Sequence, residues 1–409
     1  MADSTAGEFK AGWPTVLAAA VGACSGLTGL AFYTFGLFVK PLSEAFGWSR
    51  GQITLGMSFI TLGTVISAPL AGWLIDRYGV RRIAAPSLLG LGLAYALTAQ
   101  VGPALWTFYA ACMGIALLGC ATSPISWTRA VNLQFSRGRG LALGLTLLGS
   151  ATAGVVGAPA VQMVIVDHGW RAGYMAVAGF AVLAAFPVVA LLLGRGATRT
   201  SADNPTARAG MTLPEALRTP TFWMIGGAIL LLITAQSGVI VHLVPLLTDR
   251  GLPRVEAAGL AGVMGAAIFI SRGVIGAMLD RFSPPLVAGV SLLAPVGAAV
   301  ILAVCGADRL GLLAAVILLG LGAGAEIDFL SFFTVRHFGL RAYGRIYGWL
   351  FAMFSIGNGV GAPLVGAIYD RLSYQPALWG AAVLFACGAG LFAALAWRPV
   401  WATPTSQAL

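Results

Sequence analysis

Apolar residues in this chain follow no short amphipathic rhythm. They run on for about 20 positions at a time and are interrupted by brief polar turns. Twelve such runs stand at approximately 14–38, 52–75, 83–101, 104–128, 139–163 and 171–193, then 221–246, 256–279, 285–306, 310–334, 344–368 and 376–397. At 1.5 Å per residue each can cross the hydrocarbon core of a bilayer as a helix. With no water there to satisfy backbone N–H and C=O groups, a helix is the form such a run must take. The longest polar stretch, Gly194 to Pro220, carries Arg195, Arg199, Arg208 and Arg218 and separates six runs from six. The pattern predicts an all-α membrane protein with a six-helix domain over 1–193, a linker over 194–220 and a second six-helix domain over 221–409.

A repeat sharpens this division. Gly72-Trp-Leu-Ile-Asp76-Arg77-Tyr-Gly79-Val-Arg81-Arg82 returns in reduced form 204 positions later as Gly276-Ala-Met-Leu-Asp280-Arg281. The same offset carries Gly157-Ala-Pro159 onto Gly361-Ala-Pro363, Arg50 onto Arg254 and Arg137 onto Arg341. Four landmarks in one register predict two pseudo-symmetric bundles. Pro159 and Pro363 interrupt spans 5 and 11 as paired bends, suited to a frame that moves.

Composition agrees with lipid as the main solvent. The chain of 409 residues is 58% hydrophobic and 9% charged, against about 25% charged in an average soluble domain, and its mean hydropathy is +0.89. The 55 glycines suit close helix packing in a membrane. The net charge of +10 does not point to nucleic acid, because its basic residues are distributed by side. An even number of spans puts both termini on one side. That side holds sixteen of the 24 Lys and Arg, among them Arg77, Arg81, Arg82, Arg137, Arg139 and the linker arginines, against seven opposite. The bias predicts a multi-pass protein of the cell membrane with cytoplasmic termini. The first apolar run is too long for a cleaved signal segment. The five cysteines are scattered through apolar stretches without a C-x-x-C pair and read as small core residues.

Three charges fall inside the spans. Arg272 stands about sixteen residues into span 8 and eight before Asp280, about 12 Å from that end. A charge at such depth costs at least about 2.5 kcal/mol unless it faces protein or water. Glu326 and Asp328 lie in span 10 at a similar depth. Two residues apart on a helix they point about 200° from each other, so one faces Arg272 or a cavity and the other packs elsewhere. A buried Arg suits bidentate carboxylate binding, and an acid whose proton affinity is set between burial and a neighbouring cation suits proton coupling. A structural salt bridge between the two spans is the competing account. Weaker candidates for lining a central cavity are Tyr33 and Thr34 in span 1, Gln162 in span 5, Gln236 and His242 in span 7, and Asn358 in span 11. Trp127 and Arg129, near the inner end of span 4, read as interfacial anchors. Enzyme signatures are missing: there is no P-loop, no H-E-x-x-H pair and no metal-ligand cluster, so neither an enzyme nor a cofactor is expected.

Two six-span halves, a central loop and the G-x-x-x-D-R-x-G-x-R-R run of Gly72, Asp76, Arg77, Gly79, Arg81 and Arg82 resemble the major facilitator superfamily over essentially the whole chain. In that family this loop is a conformational latch. The second copy keeps Asp280 and Arg281 but continues as Phe282-Ser-Pro-Pro, which implies a stronger latch in the first half. Asp76, at a helix end, can pair with arginines or face the positive end of another helix.

Within the superfamily, Phe135-Ser-Arg137-Gly-Arg139-Gly at the start of span 5, and Phe38-Val-Lys40-Pro41 through Phe46-Gly-Trp48-Ser-Arg50, are similar to the monocarboxylate and oxalate–formate transporter branch. Arg272 falls where that branch places a substrate-binding arginine. An oxalate-exchanger-like lysine in span 11 is missing, which favours one acidic group on the substrate over two. The resemblance implies alternating-access transport of a small organic anion, a monocarboxylate, with a proton carried on Glu326 or Asp328. Anion exchange, export of an amphiphilic acid and a non-transporting membrane sensor are the alternatives. Besides the anion, the proton and the lipid bilayer, no nucleic acid or obligate protein partner is expected.

Overall fold

The computed structural model describes residues 5–193, 209–398 and 400. Most of the expected linker, including Arg195, Arg199 and Arg208, lies outside the described residues. Nine helical stretches among the described residues are long and apolar enough to cross a membrane. One of them, Arg139–Leu192, turns at Gly169 (φ 82°, ψ 171°) and carries two of the expected spans. Apart from one isolated bridge, the described residues contain no strand.

In chain order the first half comprises α1 (Thr5–Ser25), α2 (Leu30–Thr34), α3 (Val39–Phe46), α4 (Arg50–Tyr78), α5 (Val80–Thr98), α6 (Leu105–Leu118), α7 (Pro124–Asn132), α8 (Arg139–Thr152), α9 (Ala158–Gly179) and α10 (Phe186–Leu192). The second half follows with α11 (Leu213–Leu217), α12 (Pro220–Asp249), α13 (Arg254–Arg281), α14 (Pro284–Ser291), α15 (Leu293–Val304), α16 (Arg309–Ala323), α17 (Glu326–Phe338), α18 (Tyr343–Arg371) and α19 (Tyr374–Ala394). The first helix opens at Thr5, ahead of the expected position 14, with Pro14 inside it. Outward-facing Leu183, Leu191 and Leu310 are almost fully exposed, as lipid-facing side chains are.

Span 1 breaks at 26–29, between α1 and α2, without a counterpart in span 7, and two further spans that the apolar pattern drew as continuous break one repeat apart. Span 4 is interrupted between α6 and α7, at Gly119 to Ser123, with Pro124 opening the second piece. Span 10 is interrupted at Gly324–Ala325, between α16 and α17, 204 positions after Cys120–Ala121. Hydropathy is blind to such a break because glycine and alanine are themselves apolar enough to sit in lipid. Glycine has a further role here. A Cβ on Gly324 would lie 2.9 Å from the Ile268 carbonyl oxygen and from the Ser271 Cβ, so α13 crosses against bare backbone. Ser271 Oγ then donates to the Leu321 carbonyl at 2.5 Å, satisfying an acceptor at the break. In span 5, Pro159 follows a π-helical turn, Ala153–Gly157, a usual response to a missing N–H.

The described chain divides into two compact units. One forms within Met1–Leu213 and Thr334–Ala352, the other within Pro214–Phe333 and Met353–Val400. Segment 334–352 belongs by sequence to the second repeat and packs in the first unit. The first unit holds an aromatic cluster in which Phe38 and Tyr174 stack at 3.7 Å beside Trp48, Phe108 and Trp170. In the second unit α12 packs on α19, and α15 on α16 and α19, through small residues such as Gly388 against Leu232 and Gly322 against Pro295.

Candidate functional site

Within the second unit the α13–α16 crossing sets Arg272 beside the start of α17. Arg272 is 7% exposed, and Glu326 and Asp328 are buried in the first turn of α17. Helix geometry separates the two acids as expected for positions i and i+2. Asp328 faces the arginine, with its Oδ2 3.8 Å from Arg272 Nη1. Glu326 lies near Gln236 of α12. Acids in a first helical turn also meet the positive end of the helix dipole.

The pair is charged, buried and incompletely bonded. Arg272 Nε and Nη1, both carboxylate oxygens of Asp328 and Glu326 Oε1 have no hydrogen-bond partner among the described residues. Each buried polar atom left so costs about 1–3 kcal/mol, and more when charged. A purely structural ion pair would be drawn into bidentate contact at about 2.8 Å. At 3.8 Å, the arrangement keeps hydrogen-bonding capacity that no described residue takes up.

The other candidates fall into separate places. His242 lies six residues along α12 from Gln236. It contacts the Ala362 carbonyl through Nε2 at 3.1 Å and the Tyr374 hydroxyl through Nδ1 at 3.4 Å. Asn358 accepts a hydrogen bond from Ser237 Oγ at its backbone carbonyl, at 2.7 Å, tying α12 to α18, which runs unbroken through Pro363. Tyr33 and Gln162 belong to the first unit. Tyr33 is 37% exposed with its ring over Gly154, and Gln162 is half-buried on α9. Thr34 is buried and donates to Leu30 O.

A second ionic centre lies inside the first unit. Asp76, buried at the end of α4, pairs with Arg129 of α7. It also accepts the N–H of Gly344 at 2.9 Å and the N–H of Arg345 at 2.9 Å, while Arg345 Nε stands 3.6 Å away. One carboxylate thus meets two guanidinium groups and the N-terminus of α18. Glycine makes the approach possible: a Cβ on Gly72 would strike the Gly344 carbonyl, and one on Gly348 would lie 2.6 Å from the Ala68 carbonyl. Tyr343 adds a 2.8 Å hydrogen bond to Thr128.

Around this centre, Gly79 ends α4 with φ 87°. The Arg77 guanidinium sits 5.5 Å from the Trp73 and Tyr78 ring centres. Arg81 is half-buried and Arg82 exposed. Asp280 is half-buried and Arg281 exposed at the end of α13.

Here the anchor reading of Trp127 and Arg129 is overturned, because both are buried. Trp127 packs over Gly22 and its indole N–H donates to Thr122 O at 3.1 Å. Arg129 was the residue that sequence reasoning missed. Its signal was present: an arginine two residues after Trp127, at the end of an apolar run, where an unpaired cation would be expensive if buried. Asp76→Ala removes the carboxylate that pairs with the buried Arg129. A loss of about 3–5 kcal/mol is expected, seen as a lowered melting temperature in detergent; an unchanged melting curve would refute the pairing's importance.

Comparison with known proteins adds a family. The Major Facilitator Superfamily pattern matches residues 21–345. Human monocarboxylate transporter 11 is 29% identical over 91% of this chain and 80% of its own. The Escherichia coli uncharacterized MFS-type transporter YhjX is 25% identical over 80% of this chain and 81% of its own. Among solved structures, the human organic anion transporter MFSD10 superimposes with a TM-score of 0.72 at 16% identity, over 93% of this chain and 99% of that one.

Proposed function

The chain belongs to the major facilitator superfamily, as a membrane-embedded secondary transporter of small solutes, and from that premise we propose that it carries a small organic anion, a monocarboxylate, together with a proton. The observation carrying this reading is the buried and incompletely bonded pair of Arg272 and Asp328. Similarity to a monocarboxylate transporter over most of the chain supports the same class.

In the proposed cycle Arg272 holds Asp328 when no substrate is bound. A substrate carboxylate then takes the guanidinium bidentately. Asp328 loses its cation in a place where an ionised carboxylate costs several kcal/mol, and a proton removes that cost. Anion and proton thereby enter together, and their joint charge is zero. Glu326 and Gln236 support the site from the neighbouring helix face. The Asp76 seat serves as the latch, on a side assigned to the cytoplasm by the bias of Lys and Arg, where both termini also lie.

The test is uptake of radiolabelled lactate, pyruvate, a branched keto acid and benzoate into proteoliposomes, with and without a pH gradient. Gradient-driven accumulation of at least one is expected. Uptake that depends only on an internal anion would identify an exchanger, accumulation against an opposed gradient an exporter. Indifference to every carboxylate would overturn the reading.

A further inference from the structure

The bridge between Gly210 and Gly339 joins the far end of the central linker to the loop that precedes α18. Three backbone hydrogen bonds close it: Met211 N–H to Phe338 O at 2.8 Å, Leu340 N–H to Ala209 O at 3.0 Å and Arg341 N–H to Ala209 O at 3.2 Å. This is the geometry of a non-hydrogen-bonded antiparallel pair, the one in which the two Cα atoms come closest. Both residues have to be glycine. Gly210 has φ 140° and Gly339 φ 73°, the latter as the left-handed residue ending α17. A Cβ on Gly339 would lie 2.6 Å from Ala209 O, and one on Gly210 would meet Phe338 O and stand 3.0 Å from the Gly339 Cα. The contact is therefore built to be tight, and it is made by peptide groups alone.

Its position gives it a role. Leu340 and Arg341 are held by the linker, and three residues after Arg341 the chain places the Gly344 and Arg345 N–H groups on Asp76. Tyr343, between them, is tied to Thr128. The segment 338–345 is thus fastened at one end by the linker and at the other by the buried carboxylate, all within the first unit. A loop this short cannot leave the carboxylate freely while its other end stays clasped.

We propose that the end of the central linker is a working part of the latch, so that the 209–211 clasp and the Asp76 seat open and close as one coupled element. The linker then does more than connect two halves: it holds the loop whose release frees α18. This rests on the reading of Asp76 as a latch and is independent of the solute carried.

Amide hydrogen exchange of the full chain in lipid nanodiscs tests the coupling without any substrate. Asp76→Asn should speed exchange at Gly344 and Arg345, and also at Met211, by about tenfold, a coupling of ordinary allosteric size. Met211 is distant from Asp76 in sequence and makes no bond to it, so a merely local role for Asp76 would leave its amide unchanged. Conversely, an Ala209→Cys, Leu340→Cys disulfide across the clasp should slow exchange at Gly344 and Arg345 about tenfold, with full reversal by reductant. The Leu340 N–H donates to the Ala209 carbonyl at 3.0 Å, so the two backbones adjoin at these positions.

Acceleration at Gly344 and Arg345 with Met211 unmoved, or a tether without effect on the seat, overturns the coupling. Failure of Asp76→Asn to speed Gly344 and Arg345 overturns the seat itself. If that variant does not fold, the tether alone decides.

Discussion

Arg272→Ala is expected to abolish saturable carboxylate binding. Truncating one partner of a buried, hydrogen-bonded charge pair costs about 2–5 kcal/mol, a weakening of roughly 30-fold to several thousandfold. Arg272→Lys keeps the charge but loses the planar fork, and should retain only weak binding. Because removal of the arginine also strands Asp328 as a buried anion, the double variant Arg272→Ala, Asp328→Asn separates folding from function. It should recover the melting temperature without recovering binding. Scintillation proximity binding with labelled pyruvate and benzoate reads the result. Unchanged saturable binding in Arg272→Ala would remove the anchor from the mechanism.

Asp328→Asn should have the second large effect, on accumulation instead of binding. With one proton moved per anion, each unit of pH difference supports about tenfold accumulation. An amide at position 328 takes up no proton, so accumulation in proteoliposomes should fall to a ratio of one while exchange of labelled for unlabelled anion continues. Glu326→Gln should keep most of the accumulation, since Asp328, not Glu326, forms the ion pair with Arg272. The reverse outcome, with Glu326→Gln collapsed and Asp328→Asn intact, would transfer the coupling role to Glu326. Full accumulation in both would end the coupling model.

Much of the architecture was legible from apolar run length, because a bilayer allows a helix and little else. The 204-residue offset marked where halves correspond, and the intramembrane cost of charge singled out Arg272, Glu326 and Asp328. What escaped was everything decided by glycine and by packing. The breaks at Gly119–Ser123 and Gly324–Ala325 lie in stretches as hydrophobic as any helix. The burial of Arg129 depends on Asp76, which is 53 residues away. The choice between Glu326 and Asp328 depended on which face α13 would cover, and no periodicity within span 10 contains that information. The clasp at Gly210 and Gly339 was likewise hidden, since two glycines far apart give no local sign that their backbones will meet.

The Gly72, Gly344 and Gly348 crossing beside Asp76 has a thermal consequence. Its surfaces are peptide planes, with a carboxylate at the edge, and no large side chains interdigitate at those glycine positions. Beside those glycines, Tyr343, Ile346, Tyr347, Leu350 and Phe351 of α18 are buried, so parting the helix uncovers apolar area and the heat capacity should change between the shut seam and its transition state. The rate of that step should therefore give a curved Arrhenius plot. A frame that opens through such a seam would change pace unevenly as the membrane warms and cools.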